Sequence, residues 1–199
     1  GFDLTVNARF PRGAFVNGGV GVGRQRTNNC YVLDDLSISV PAGLPRATPF
    51  CDVRPPMQTN AKAQVVYPLP WWGVQISAAF QSLPGPQLLA QRRTTNAEIA
   101  PDLGRNLSSC VPGPTCTASV LLDLVPPGTM FGDRINQLDL RVSRTIRAGR
   151  TTIRPTISVY NLLNANPVLQ YNNRYNAAWP APTTVLTARF ADVGVQVDF

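Results

Sequence analysis

Polar and apolar residues alternate singly along seven stretches of this chain, the period of a strand whose two faces meet different surroundings. In the first stretch Leu4, Val6, Ala8 and Phe10 share one face, with Thr5, Asn7 and Arg9 on the other. Ala14, Val16, Val20 and Val22 oppose Asn17, Gly19, Gly21 and Gln25 in the second. The third sets Ala61, Ala63, Val65, Tyr67 and Leu69 against Asn60, Lys62 and Gln64. In the fourth, Val74, Ile76, Ala78 and Phe80 oppose Gln75, Ser77 and Gln81. Leu138, Leu140, Val142 and Ile146 face away from Gln137, Asp139, Arg141 and Ser143 in the fifth. Ile153, Ile157 and Val159 back onto Arg154, Thr156, Ser158 and Tyr160 in the sixth, and Ala191, Val193, Val195, Val197 and Phe199 onto Asp192, Gly194, Gln196 and Asp198 in the last. No segment reads as a strong amphipathic helix, and no run approaches the ~18 apolar residues of a membrane-spanning helix.

The runs are about 9–14 residues long, against ~5–6 for strands of soluble proteins and ~9–11 for strands that cross a bilayer. The pattern predicts an all-β fold, an antiparallel up-and-down transmembrane β-barrel segment of about seven long strands. Connections between the runs alternate in length. Pro11–Gly13, Pro68–Gly73 and Arg147–Arg150 are short, whereas residues 27–58, 83–134 and 165–182 make long connections. Outer-membrane barrels show this asymmetry, with short periplasmic turns and long extracellular loops. A further apolar stretch, Ala118–Val125, is expected to be a hairpin inside a long loop, because one more crossing would break the up–down order. With the short turns in the periplasm, Phe199 falls at the periplasmic rim and Gly1 on the outside. A complete bacterial barrel has an even strand count and returns both ends to the periplasm. Residues 1–199 are therefore expected to be the C-terminal part of a larger barrel whose upstream strands lie elsewhere. A self-contained eight-stranded barrel and a soluble β-sandwich are the rival folds.

Composition changes this picture little. Charged residues are 15% of the chain, histidine is absent, and Pro (19) and Gly (15) are plentiful. The basic residues behind the net charge of +7 are mostly arginines scattered singly, with no basic cluster interleaved with aromatics. A polar lumen and charged rims account for them, and nucleic-acid binding is not expected. Cys30 and Cys51, and Cys110 and Cys116, form two local pairs in loop-like segments. An even count in loops suggests disulfides made in an oxidising compartment, with four free thiols as the alternative. Trp71 and Trp72, at a short turn beside Tyr67, suit a membrane–water interface, and core aromatics of a soluble fold are the competing explanation.

The residues of the sixth strand carry a family resemblance. Val159-Tyr160-Asn161-Leu162-Leu163-Asn164 resembles the Tyr-Asn-Leu-hydrophobic-Asn signature near the end of TonB-dependent outer-membrane receptors. Arg134–Arg141 looks like the strand that precedes it, and Thr187–Phe199 is similar to the closing strand, most closely in the Oar-like subgroup with a carboxypeptidase-regulatory-like domain. The resemblance is strongest over residues 134–199. It implies a wall segment of a barrel of about 22 strands with a plugged lumen, in the outer membrane of a Gram-negative-type bacterium. The implied partners are outer-membrane lipid, the barrel-assembly machinery, the protein's own plug domain, and TonB acting through an N-terminal region that this sequence does not contain. Phe199 matches the C-terminal aromatic that serves such barrels as an assembly signal.

Chemistry is sparse. Without histidine there is no Ser-His-Asp or Cys-His arrangement and no His-containing metal set. Asp34 and Asp35 more often solvate a turn than act as an acid–base pair. The series Gly18, Gly19, Gly21 and Gly23 superficially resembles a dinucleotide loop, but no helix follows it, and strand bending explains it better. No enzyme, cofactor or metal site is expected. The best ligand-binding candidates are Tyr171, Asn172, Arg174, Tyr175 and Trp179 of the last long loop, which combine stacking surfaces with hydrogen-bond donors. A packed loop with no ligand is the plainer account of them. Arg141, Arg154 and Tyr160 are expected to line the lumen. The expected function is import of an unidentified solute. A passive porin-like or small barrel and a surface adhesion or scaffold barrel are the alternatives.

Overall fold

The computed structural model describes residues 1–31, 50–110 and 115–199. Asp34 and Asp35 lie outside the described residues. In chain order the elements begin with β1 (Phe2–Arg9), β2 (Phe15–Gly23), β3 (Thr27–Asn28), β4 (Asp52–Val53), β5 (Gln58–Pro68) and β6 (Val74–Leu83). There follow β7 (Gln91–Thr95), helix α1 (Asn96–Leu103), β8 (Ser119–Asp123), β9 (Ile135–Arg144) and β10 (Ile146–Ala148). The last are β11 (Thr151–Tyr160), β12 (Val168–Tyr171), β13 (Pro182–Val185) and β14 (Phe190–Asp198).

One antiparallel sheet dominates, in the order β1-β2-β5-β6-β9-β11-β14, with β10 continuing β9 along the same edge of β11. Each long strand lies beside the next long strand in sequence, so the sheet is an up-and-down meander. Its members are the seven alternating stretches. The short connections turn sharply at residues with positive φ: Arg12 (68°) and Gly13 (83°), Trp72 (55°) and Gly73 (66°), and Gly149 (62°). Gly73 needs that freedom twice over, because a side chain there would meet the Thr145 carbonyl oxygen at 2.8 Å. The turn between β10 and β11 is tighter than the sequence suggests, since strand pairing continues to Ala148 and Thr151.

Register aligns like with like across the whole sheet. Ala8 pairs with Val16, Val16 with Val65, Val65 with Ala78, Ala78 with Leu140, Leu140 with Val159, and Val159 with Ala191. One residue along, Asn7, Asn17, Gln64, Ala79 and Asp139 make a row on the opposite face. A slip of one residue would mix the faces, so side-chain pattern and pairing specify each other. The apolar face is uncovered: Val6, Tyr67, Ile157 and Val193 are exposed, Val193 by 73%. Among the described residues only Ala14, Val66, Leu88 and Ala90 are buried apolar side chains. Among the described residues the sheet therefore has no second layer, and the β-sandwich expectation fails because no face of it packs onto another.

The sheet is also open. β1 pairs only with β2 and β14 only with β11, so two edges are free among the described residues. The structure establishes an all-β antiparallel meander and shows no closed barrel.

The three long connections all leave the other end of the sheet, and each contains its own two-stranded ladder: β3–β4, β7–β8 and β12–β13. The stretch around Ala118–Val125 does pair within its loop, as β8 against β7. Between those two strands sits α1, which the apolar pattern does not reveal. Cys30 is bonded to Cys51 and Cys110 to Cys116. The last connection is longer than the 165–182 expected, running from Asn161 to Arg189 between β11 and β14.

Candidate functional site

The polar face carries the organised chemistry. Side chains from neighbouring strands meet there because register brings polar positions into rows. Gln81 donates through Nε2 to Gln137 Oε1 at 3.0 Å, and Gln137 donates to both oxygens of Asp139 at 3.0 and 3.1 Å. Asp139 in turn accepts from the backbone N–H of Asn161 at 2.8 Å. Arg141 Nε donates to Ser158 Oγ at 3.1 Å, and its Nη2 lies 3.5 Å from Tyr160 Oη. Tyr160 stacks on Phe190 with ring centroids 4.7 Å apart. Two polar groups thus lie side by side on this face, Gln81–Gln137–Asp139 across β6 and β9, and Arg141 with Ser158 and Tyr160 across β9 and β11.

Two depressions open on this face, of about 600 and 500 Å³. The first lies over β1, β2, β5 and β6 and is lined by Asp3, Asn17, Lys62, Gln64 and Gln137 among others. The second holds Gln75, Arg141, Arg154, Thr156, Tyr160 and Gln196. The polar face is therefore the hollow side of the sheet. At Gly19 a Cβ would sit 2.8 Å from the Leu4 carbonyl oxygen, so β1 and β2 approach more closely there than a side chain allows. Arg141, Arg154 and Tyr160 all reach the second depression.

The five loop candidates are gathered elsewhere, where the last long loop docks on the preceding one. Gln91 N–H donates to the Asn173 carbonyl and its own carbonyl accepts from Tyr175 N–H, both at 2.8 Å. Trp179 Nε1 donates to the Leu89 carbonyl at 2.9 Å, and Leu89 N–H donates to Asn173 Oδ1 at 3.2 Å. Asn172 Oδ1 accepts from Arg174 N–H at 3.1 Å, closing a local turn. The Tyr171 ring packs on Gly132, where a Cβ would fall 2.7 Å from it. Tyr171, Asn173 and Trp179 thus join the two loops beside buried Leu88 and Ala90, whereas Asn172 bonds only within its own loop. Arg174 and Tyr175 stay exposed, with the Tyr175 ring tilted against Trp179 at 5.5 Å between centroids. Phe199 ends the chain beyond β14 and is 99% exposed.

Two ionic devices in the loops leave no mark on the alternating pattern. Arg26 grips Asp52 through Nε and Nη2, both at 3.0 Å, and Arg54 Nε adds a third bond at 2.9 Å. The hydrogen bonds from Arg26 and then Arg54 hold the Asp52 carboxyl well below the usual carboxylate range. The Arg54 guanidinium is raised by the same partner. At the start of α1, Glu98 accepts from the Thr95 N–H at 2.7 Å and the Thr95 hydroxyl at 2.9 Å, which lowers its pKa. Thr95-Asn96-Ala97-Glu98 is a capping box, and that four-residue spacing is the signal by which the helix could have been found. Among the described residues no group of three or more acidic or cysteine side chains could hold a metal ion.

No protein-family model matches this chain, and neither a curated protein nor a solved structure matches it.

Proposed function

We propose that these seven strands are a section of the wall of an outer-membrane β-barrel of the TonB-dependent receptor type, and that the barrel imports a solute past their polar face. One observation carries the membrane part: an apolar row runs through all seven strands on a face that no other part of the described chain covers. Lipid tails are the partner that leaves such a face stable without a second protein layer. The hollow face, with Arg141, Arg154, Tyr160 and the Gln81–Gln137–Asp139 chain, then borders water. In this frame the short turns are periplasmic, and the disulfide-bearing long loops are extracellular, where an oxidising medium keeps the bridges intact. The receptor class and the import role rest on the Tyr160-Asn161-Leu162-Leu163-Asn164 resemblance, and no side chain of the described residues suggests catalysis.

Single cysteines placed along β9 in outer membranes test the orientation. A membrane-impermeant maleimide should modify positions 141 and 143 and spare 140 and 142. Labelling without that two-residue period removes the membrane reading. If the period is found but solute uptake persists in the presence of a protonophore, the barrel is a passive pore and the TonB-coupled assignment fails.

A further inference from the structure

Arginines collect at the short-turn end of the sheet. Arg9 closes β1, Arg12 lies in the first turn, Arg144 ends β9, Arg147 is in β10 and Arg150 is in the last turn, whereas Asp198 is the acidic residue at that end. Arg144 differs from the rest in its position on the strand. It follows Leu138, Leu140 and Val142 at two-residue spacing and pairs with Val74, so it stands on the apolar face. Its Nε donates to the Trp72 carbonyl at 3.2 Å, which fixes the guanidinium beside the turn. No carboxylate pairs with it among the described residues. Trp71 and Trp72 in that turn are 65% and 81% exposed, and Tyr67 and Ile146 are exposed on the same face.

An exposed guanidinium with no carboxylate partner is free to pair with an anion, and its remaining N–H groups suit the two free oxygens of a phosphodiester. Indole rings favour the depth at which such headgroups lie. We infer that Arg144, with Trp71 and Trp72, forms a binding site for the phosphate of an anionic phospholipid at the short-turn rim. The inference rests on the membrane reading above. Charge complementarity selects the occupant: the surrounding arginines favour a net-negative headgroup over a zwitterionic one, which offers the same phosphate with a compensating cation.

The test uses the entire barrel that contains these strands, in phosphatidylcholine vesicles doped with a small fraction of lipid carrying brominated acyl chains, which quench tryptophan fluorescence on contact. The difference between the protein and its Trp71→Phe/Trp72→Phe variant isolates the rim signal. Brominated phosphatidylglycerol should be enriched at the rim about fivefold over brominated phosphatidylcholine at equal mole fraction. Arg144→Gln should abolish the preference and Arg144→Lys should retain part of it, with folding of each variant verified by heat-modifiable gel migration. Equal quenching by the two lipids, or a preference that survives in Arg144→Gln, overturns the site and leaves the membrane reading intact. Loss of the preference on adding inorganic phosphate assigns Arg144 to free anions and overturns the lipid site. Quenching by neither lipid removes the membrane reading and the site together.

Discussion

Asn161 shows how one side chain can organise the end of a strand. It is 2% exposed and adopts φ of 50°, a backbone state that asparagine tolerates better than most residues. Its Nδ2 donates to the carbonyls of Ala165 and Thr187, both at 2.8 Å, and its Oδ1 accepts from Ala165 N–H at 3.0 Å. The residue thereby ties the end of β11 to the approach to β14, while Asn164 Oδ1 accepts from Arg189 N–H at 3.0 Å. Both asparagines of the Tyr-Asn-Leu-Leu-Asn motif thus act on backbone. Asn161→Ala leaves three part-buried backbone groups without this partner and adds strain at positive φ, a cost of about 3 kcal/mol. Asn161→Gly should recover about 1 kcal/mol of it by relieving the strain alone. Urea unfolding of the two variants checks the order, and an alanine variant as stable as the parent would refute this role.

At the scale of elements, a strand is legible when its neighbours impose an alternation, and hidden when its partners are local. The seven long strands are readable because every polar–apolar pair such as Arg141 and Val142 lies on opposite faces of one sheet. The loop ladders offer no such contrast: β7, Gln-Arg-Arg-Thr-Thr, is mostly polar, and its register against β8 comes from backbone pairing within one loop. Helix α1 was missed for a similar reason, since it is eight residues long with Pro101 inside and Asn96 as its buried residue. Its signal lies in the cap, not in periodicity. For the loop candidates, the stacking surfaces and donors that suggest ligand binding at Tyr171 and Trp179 also serve loop–loop packing, so residue type alone does not separate the two uses. The Arg26–Asp52–Arg54 clasp sits at the β3–β4 ladder, and the sign of its pH response follows from the lowered Asp52 pKa. Its contribution is complete above the ordinary carboxylate value of 3.8 and is lost as pH falls below that value toward the lowered folded one. The Asp52 carboxyl carbon should therefore keep its ionised chemical shift below pH 3.8, with Arg26→Ala moving the midpoint upward. A midpoint at or above 3.8 in the parent chain would show the clasp to be absent.

For the whole molecule, the uncovered apolar face and the free edges make competing demands. Water is a poor solvent for a face on which Leu4, Val6, Val20, Val142, Ile157 and Val193 are exposed. Lipid removes that difficulty and creates another at β1 and β14, because each backbone group left unpaired in hydrocarbon costs several kcal/mol. A sheet with an apolar outer face and a hollow polar face satisfies both demands only by closing, and β1 and β14 do not pair with each other. Additional strands must then bridge them, which is why we propose that residues 1–199 are one part of a larger ring. Refolded alone in detergent, this stretch should associate through its edges, lack the heat-modifiable migration of a closed barrel, and lose β1 and β14 to protease first. The same strands within the entire barrel should resist protease along their full length. A compact, heat-modifiable monomer formed by residues 1–199 alone would mean that the two edges meet in lipid after all, and the requirement for further strands would fall.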